Sequence, residues 1–234
     1  MILRRFMQHV KDQNWFAVGL DVIVVIVGIF LGMQVQQWYE ERREAEFEQG
    51  YLIGLDEDMA ESFERQAEDI KEMRDAAADV REAAQMLINK RLNDENRSEF
   101  DELFKSVFNG DSLSHNVTTI RQIFDANHLS VFKSDEVKKA ISNNLLRYEK
   151  VSSQERINAD ILYRNAIEGL LDNVSIDIES KKILMSNSEL IQNPLIYRKL
   201  VMISRMQTSK ALLYSHMLDE TKKLRDVINQ QLSQ

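Results

Sequence analysis

Residues 13–38, "QNWFAVGLDVIVVIVGIFLGMQVQQW", constrain this chain more than any other stretch. They hold both tryptophans, Trp15 and Trp38, and the twenty-two residues between them carry one charge, Asp21. A helix over that separation of 23 residues is roughly 35 Å long. That matches a hydrocarbon layer about 30 Å thick with an indole at each interface. Val, Ile, Leu, Gly and Phe occupy every side of the helix between Val22 and Leu31, which favours a membrane span over the competing reading, a helix buried in a soluble core. The run exceeds the apolar core of a secretory signal, and no small-x-small cleavage pattern follows it. The reading is an uncleaved transmembrane helix over residues 15–38.

Orientation follows from basic residues at the two ends. Arg4, Arg5 and Lys11 precede the span, whereas in "YEERREAEFEQGYL" acids outnumber two arginines. That asymmetry places residues 1–14 in the cytoplasm and residues 39–234 in the periplasm of a bacterial inner membrane. Ile2, Leu3, Phe6, Met7 and Val10 fall at helical spacing opposite Arg4, Arg5, His9 and Lys11. Such a flank suits an amphipathic helix on an anionic leaflet, with Arg4 and Arg5 as anchors beside Trp15 and Trp38. A frayed tail is the competing reading.

Within the span, Gly28 and Gly32 form a small-x-x-x-small pair that admits a second helix at close range. Helical geometry sets Asp21, Val25, Gly28, Gly32 and Gln36 on one face. A carboxylate at the bilayer centre costs about 2.5 to 3.5 kcal/mol, and less toward an interface. Three readings of Asp21 stand open: an interfacial carboxylate hydrated by headgroup water, a hydrogen-bonding contact between paired helices, or a proton carrier in an ion pathway.

Seven glycines and a single proline leave few places for turns, so the remainder should be long helices. From Phe47 onward apolar residues recur at steps of three, four or seven. Phe63, Ile70, Ala77 and Ala84 mark one heptad position and Met73, Val80 and Leu87 the other. Gly50 and Gly54 repeat the small spacing, for a close crossing or for a bend. "RLNDENRS" breaks the pattern, and "EFDELFKSVF" and "VTTIRQIFDAN" read as short amphipathic helices. Ser134 caps a long helix with Asp135 and Glu136 in its first turn, and Asn193 before Pro194 starts a final one. Residues 173–193 are irregular, with room for a short helix.

Three long amphipathic helices, none able to bury its stripe alone, imply an all-α fold: the transmembrane helix continuing into an antiparallel bundle. If the first leaves the membrane and the second returns, residues 173–193 with Lys181 and Lys182 lie near the bilayer and the C-terminus lies far from it.

The chain carries a net charge of −8, and beyond residue 38 the balance is −9. That excludes a clustered basic surface for nucleic acid. With no cysteine there is neither a disulfide nor a thiolate site. No glycine loop precedes Lys-Ser or Lys-Thr, and His9, His115, His128 and His216 are too scattered for a metal motif. Runs such as "LDEDMAE" and "NDENRSEFDE" read as solvated helix faces. Neither enzyme activity nor a cofactor is expected.

The stretch "DVIVVIVGIFLGMQVQQWYEERRE" resembles a family of uncharacterised bacterial single-pass membrane proteins that share a domain of unknown function. The family pattern is an acidic residue entering a Val/Ile/Gly span that closes in Gln-x-x-x-Trp-x-Glu. Asp21, Gly28, Gly32, Gln34, Trp38 and Glu40 match it. Asp21 stands where the family often has glutamate, and Tyr39 where it usually has asparagine. "YLIGLDEDM" and "TIRQIFDANHLSVFKSDEVKKAI" also look like family segments. The resemblance implies architecture and no activity. Asp21 followed by Val22 is also similar to the single-span subunits of proton-driven motors, which end in a mixed α/β domain that this chain lacks the strands to build.

The functional expectation is a membrane-anchored helical domain for assembly or partner binding. It associates with itself or with another membrane protein through the face of Asp21, Gly28 and Gly32. Two alternatives remain: a subunit of a proton-driven or channel complex using Asp21, and a helical-bundle sensor that signals laterally through a partner span.

Overall fold

The computed structural model describes residues 15–109, 113–177 and 182–233. The expectations for the flank 2–11, with Arg4 and Arg5, and for Lys181 lie outside the described residues. So does the Trp15 side chain, although its backbone begins the first helix.

The fold is all-α. Helix α1 spans Trp15–Ile88 without interruption for 74 residues. Then come α2 (Arg97–Lys105), a 3-10 turn (Ser106–Phe108), α3 (Thr118–Asp125) and a second 3-10 turn (His128–Val131). Helix α4 (Asp135–Ile161) runs into a π-helical segment, Leu162–Glu168, and the short α5 (Gly169–Leu171). Strands β1 (Ile176–Asp177) and β2 (Lys182–Ile183) pair antiparallel, with Ile176 opposite Ile183. Helices α6 (Asn187–Gln192) and α7 (Pro194–Leu232) complete the chain.

Local chemistry sets several of these boundaries. Val137 N–H donates to Ser134 Oγ at 3.3 Å, the N-cap expected for α4. Leu195 N–H donates to Asn193 Oδ1 at 3.0 Å, and Pro194 takes the first helical position. Helix α6 carries a full capping box: Glu189 N–H donates to Ser186 Oγ while the Glu189 carboxylate accepts from Ser186 N–H. The Ser186 hydroxyl, then its N–H, hold that carboxyl below the usual range. Strands β1 and β2, two residues each, pair within the stretch read as irregular and leave the all-α class intact; Leu184 N–H extends their contact to Ser175 O at 2.8 Å.

The chain divides into two compact units, Met1–Gly50 and Tyr51–Gln234. The second is built on α1 from Tyr51 onward, α4 and α7, with three apolar clusters along its length. Near its start, Leu52, Leu55 and Met59 pack with Ile120 and Ile123 of α3, Val137 and Ile141 of α4, and Leu224 and Ile228 of α7. In the middle, Ile70 and Met73 meet Val151, Ala211, Tyr214 and Met217. At the far end, Val80, Ala84 and Leu87 meet Phe100, Phe104, Leu170, Ile183, Leu190, Leu200 and Ile203.

This order overturns the expected path of the chain. Helix α4 runs in the same direction as α1, and α7 returns antiparallel to both. The irregular stretch 173–193, with Lys182, therefore sits at the end of the second unit away from Tyr51. The C-terminal end of α7 packs beside Leu52. The reason lies in residues 89–134: they place Phe100 at the far end and Ile120 at the near end, so the connection itself carries the chain back along the bundle. A parallel helix pair requires such a crossover, whereas the expectation assumed a direct reversal.

The heptad seam also changes character midway. Ile70, Met73, Ala77, Val80, Ala84 and Leu87 are buried as expected, but Phe63 is only half-buried. Ser62 and Gln66 take the inward positions instead, at 1% and 0% exposure. Gly54 serves close approach: a Cβ there would meet Thr119 Oγ1 at 3.0 Å, whereas a Cβ at Gly50 would meet nothing within 4 Å.

Candidate functional site

In the first unit, the predicted membrane face lies on one uninterrupted helix. Asp21 is half-buried and its Oδ2 has no hydrogen-bond partner among the described residues. Val25 is 43% exposed, and Cβ atoms built at Gly28 or Gly32 would meet nothing within 4 Å. At the end of this face Gln36 Nε2 donates to Glu40 Oε1 at 3.0 Å, so its amide is turned along the helix. Trp38 is exposed, and the Arg42 guanidinium lies 5.7 Å from its ring centre. Every large apolar residue from Val22 to Leu31 is exposed, and an 18-residue window of this helix has a mean hydropathy of 2.4. It is the one helix among the described residues long and apolar enough to cross a membrane.

In the second unit, the inward Ser62 and Gln66 belong to a polar layer between two apolar clusters. Gln66 Nε2 donates to His115 Nδ1 at 2.7 Å, so the imidazole proton sits on Nε2 and is donated to Asn144 Oδ1 at 3.0 Å. Thr221 Oγ1 donates to Gln66 Oε1 at 3.1 Å. Burial pushes the His115 imidazole down to about 4, against the opposing pull of the Asn144 hydrogen bond and the Asp58 charge. Asn144 is fully buried and its Nδ2 has no partner.

The loop bearing His115 is tied to α1 by carboxylates read from sequence as solvated. Asp58 accepts from Thr119 N–H and from Asn116 Nδ2, both at 2.9 Å, and Asp69 accepts from Ser114 N–H at 2.8 Å. Asn116 N–H donates to Ser62 Oγ at 2.8 Å. These carboxylates replace backbone partners that an irregular loop lacks. His128 sits in a 3-10 turn, with Nδ1 at 2.8 Å from Tyr51 Oη.

A cleft of about 490 Å³ opens further along, walled by α1, the Ser106–Phe108 turn, α4, the π-helical segment and α7. Lys210 Nζ pairs with Glu155 Oε1 at 3.3 Å, and Tyr214 donates its hydroxyl to the same carboxylate. Burial, then the Glu155 carboxylate, push the Tyr214 phenol above its ordinary value. Sequence reasoning missed both the polar layer and the cleft. Their one outward signal is polar residues at positions where the heptad calls for apolar ones, as at Ser62 and Gln66. Among the described residues no three His, Asp or Glu side chains group as a metal site would require.

The fold and these surfaces define an all-α chain with one helix able to span a bilayer. Comparisons with protein-family models, curated proteins and solved structures give no match for this chain.

Proposed function

We propose that the chain is a single-pass bacterial inner-membrane protein of the family its span resembles. Residues 1–14 face the cytoplasm, and the helical domain in the periplasm serves assembly or partner binding. The observation that carries this reading is the bare apolar helix around Gly28 and Gly32. Contiguous apolar surface of that extent is not left in water, since typical exposed patches reach only a few hundred Å². A lipid bilayer covers the Val, Ile and Phe sides, and a second helix covers the face of Asp21, Gly28 and Gly32. The two glycines let helix backbones approach closely, and the unpaired Asp21 oxygen gains a partner across the pair.

Topology reporters fused after Gln234 test the placement. Alkaline phosphatase is expected to be active there and a cytoplasm-dependent fluorescent protein dark; the reverse pattern overturns the orientation. For association, Gly28→Ile combined with Gly32→Ile is expected to convert an oligomer in mild detergent to single chains. Light scattering that shows an unchanged mass for the double variant contradicts this face as the contact.

A further inference from the structure

The cleft between α4, α7 and the Ser106–Phe108 turn has the chemistry of a ligand site, and its lining says which ligand. Its volume, about 490 Å³, falls in the range of small-molecule pockets, roughly 300 to 1,000 Å³. One wall is apolar and deformable, with Met73 and Met206 beside the Phe108 ring. Thioethers make favourable contacts with aromatic rings and adapt to their outline.

Among the described residues three charged side chains line this cleft: Glu155, Arg156 and Lys210. Glu155 already accepts from Lys210 and Tyr214. Arg156 is exposed and has no ion-pair partner among the described residues, so it supplies the unmatched positive charge. Among the described residues the charged groups of the neighbouring cleft are all acids, Glu72, Asp75 and Asp79, and the chain as a whole is at −8, so a balance of +1 over the described lining sets this cleft apart. A guanidinium in that setting selects a carboxylate, which it holds with two parallel hydrogen bonds.

Gln207 adds a second requirement. It lines the same cleft at 2% exposure, its Nε2 donates to Ser106 O at 3.0 Å and Asn109 O at 3.1 Å, and its Oε1 has no donor among the described residues. A buried acceptor left unpaired forfeits the hydrogen bond it had in water, so a ligand that brings a donor to it gains affinity. The π-helical segment contributes Ile167 to the wall, and such segments recur at functional sites.

From these features we propose that the cleft binds a small aromatic monocarboxylate bearing a ring N–H or O–H. The carboxylate sits on Arg156, the ring lies against Met73, Phe108 and Met206, and the donor points to Gln207. The inference stands on the second unit alone and holds whether or not the first unit spans a membrane.

Indole-3-acetate is the probe, titrated by calorimetry into the full chain in lipid nanodiscs, with empty nanodiscs as the blank. Saturable one-to-one binding is expected, weakened at least tenfold by Arg156→Gln and unaffected by Arg121→Gln on α3. Naphthalene-1-acetate, which lacks the donor, is expected to bind several-fold more weakly, and tryptamine, a cation on the same ring, not at all. Arg156 is exposed and unpaired, so its variant should unfold at the same temperature as the parent, which circular dichroism checks. Absence of saturable binding up to millimolar indole-3-acetate would overturn the proposal. So would equal affinity in the Arg156→Gln variant, or equal binding of tryptamine.

Discussion

Arg97→Ala is expected to lower the unfolding free energy of the second unit by about 3 to 5 kcal/mol, the cost of breaking a partly buried ion pair from one side. Arg97 and Asp101 are 19% and 13% exposed and meet at 2.9 Å. The same guanidinium donates to Met185 O at 2.8 Å, Asn187 Oδ1 at 2.9 Å and Ile183 O at 2.9 Å. One side chain thus satisfies a carbonyl at the end of β2, Ile183 O, and one just beyond it, Met185 O, and ties both to α2. Alanine leaves those acceptors and the Asp101 carboxylate without their donor. Lysine should rescue little, because a single ammonium cannot reproduce the planar fork. Arg65, whose pair with Glu61 is 65% and 47% exposed, is the control, with an expected change below about 0.5 kcal/mol for Arg65→Ala. Urea unfolding and amide exchange at Ile183 and Leu184 read both. A loss under about 1 kcal/mol for Arg97→Ala would contradict the clamp.

Acidification is expected to destabilise the chain through His115. Its imidazole titrates near 4 in the fold, against 6.5 in the unfolded chain. Between those values the unfolded state binds the extra proton, so stability falls as pH drops from about 6.5 toward 4 and the loss is complete below 4. At 1.36 kcal/mol per pH unit the contribution reaches about 3 kcal/mol. Protonation puts a hydrogen on Nδ1, where Gln66 Nε2 already donates, so the layer of Gln66, Asn144 and Thr221 must rearrange to admit the charge. His115→Gln keeps donor and acceptor capacity but does not titrate. Unfolding at pH 7.5, 6.0, 5.0 and 4.5 should show a flatter profile for the variant than for the parent. Parallel profiles would assign the acid sensitivity to the carboxylates instead.

What the sequence made legible was whatever chemistry is local. The caps at Ser134 and Asn193 depend on residues two or three positions away, and both form as expected. The apolar periodicity of α1, α4 and α7 gave the all-α class and most of the buried seam, because a helix that cannot bury its stripe alone must bundle. The direction of α4 was not legible. Whether it runs with or against α1 depends on how residues 89–134 spend their length, and periodicity carries no information about that.

The polar layer was hidden for a related reason. Ser62, Gln66, Asn144 and Thr221 fall on the apolar stripes of their helices by spacing, but the partners that satisfy them inside are far apart in the chain and leave no mark on that spacing. Asp58 and Asp101 likewise sit in runs that read as solvated charge, yet Asp58 holds a loop and Asp101 an arginine one turn away. The membrane face shows the opposite case. Asp21, Val25, Gly28, Gly32 and Gln36 share one side of α1 by spacing alone, and the structure leaves that side bare.

That bare face is the centre of the account, and the absence of cysteine makes it directly testable, since a single introduced thiol has no competitor. Asp21→Cys, Val25→Cys, Gly28→Cys and Gly32→Cys, each made alone in the full chain and oxidised in native membranes, should yield disulfide-linked products. Ile23→Cys, Ile26→Cys and Phe30→Cys, on the opposite side of the helix, should stay unlinked. Uniform linking all round the helix, or none at any of the seven positions, would contradict a specific helix partner at the Asp21, Gly28 and Gly32 face.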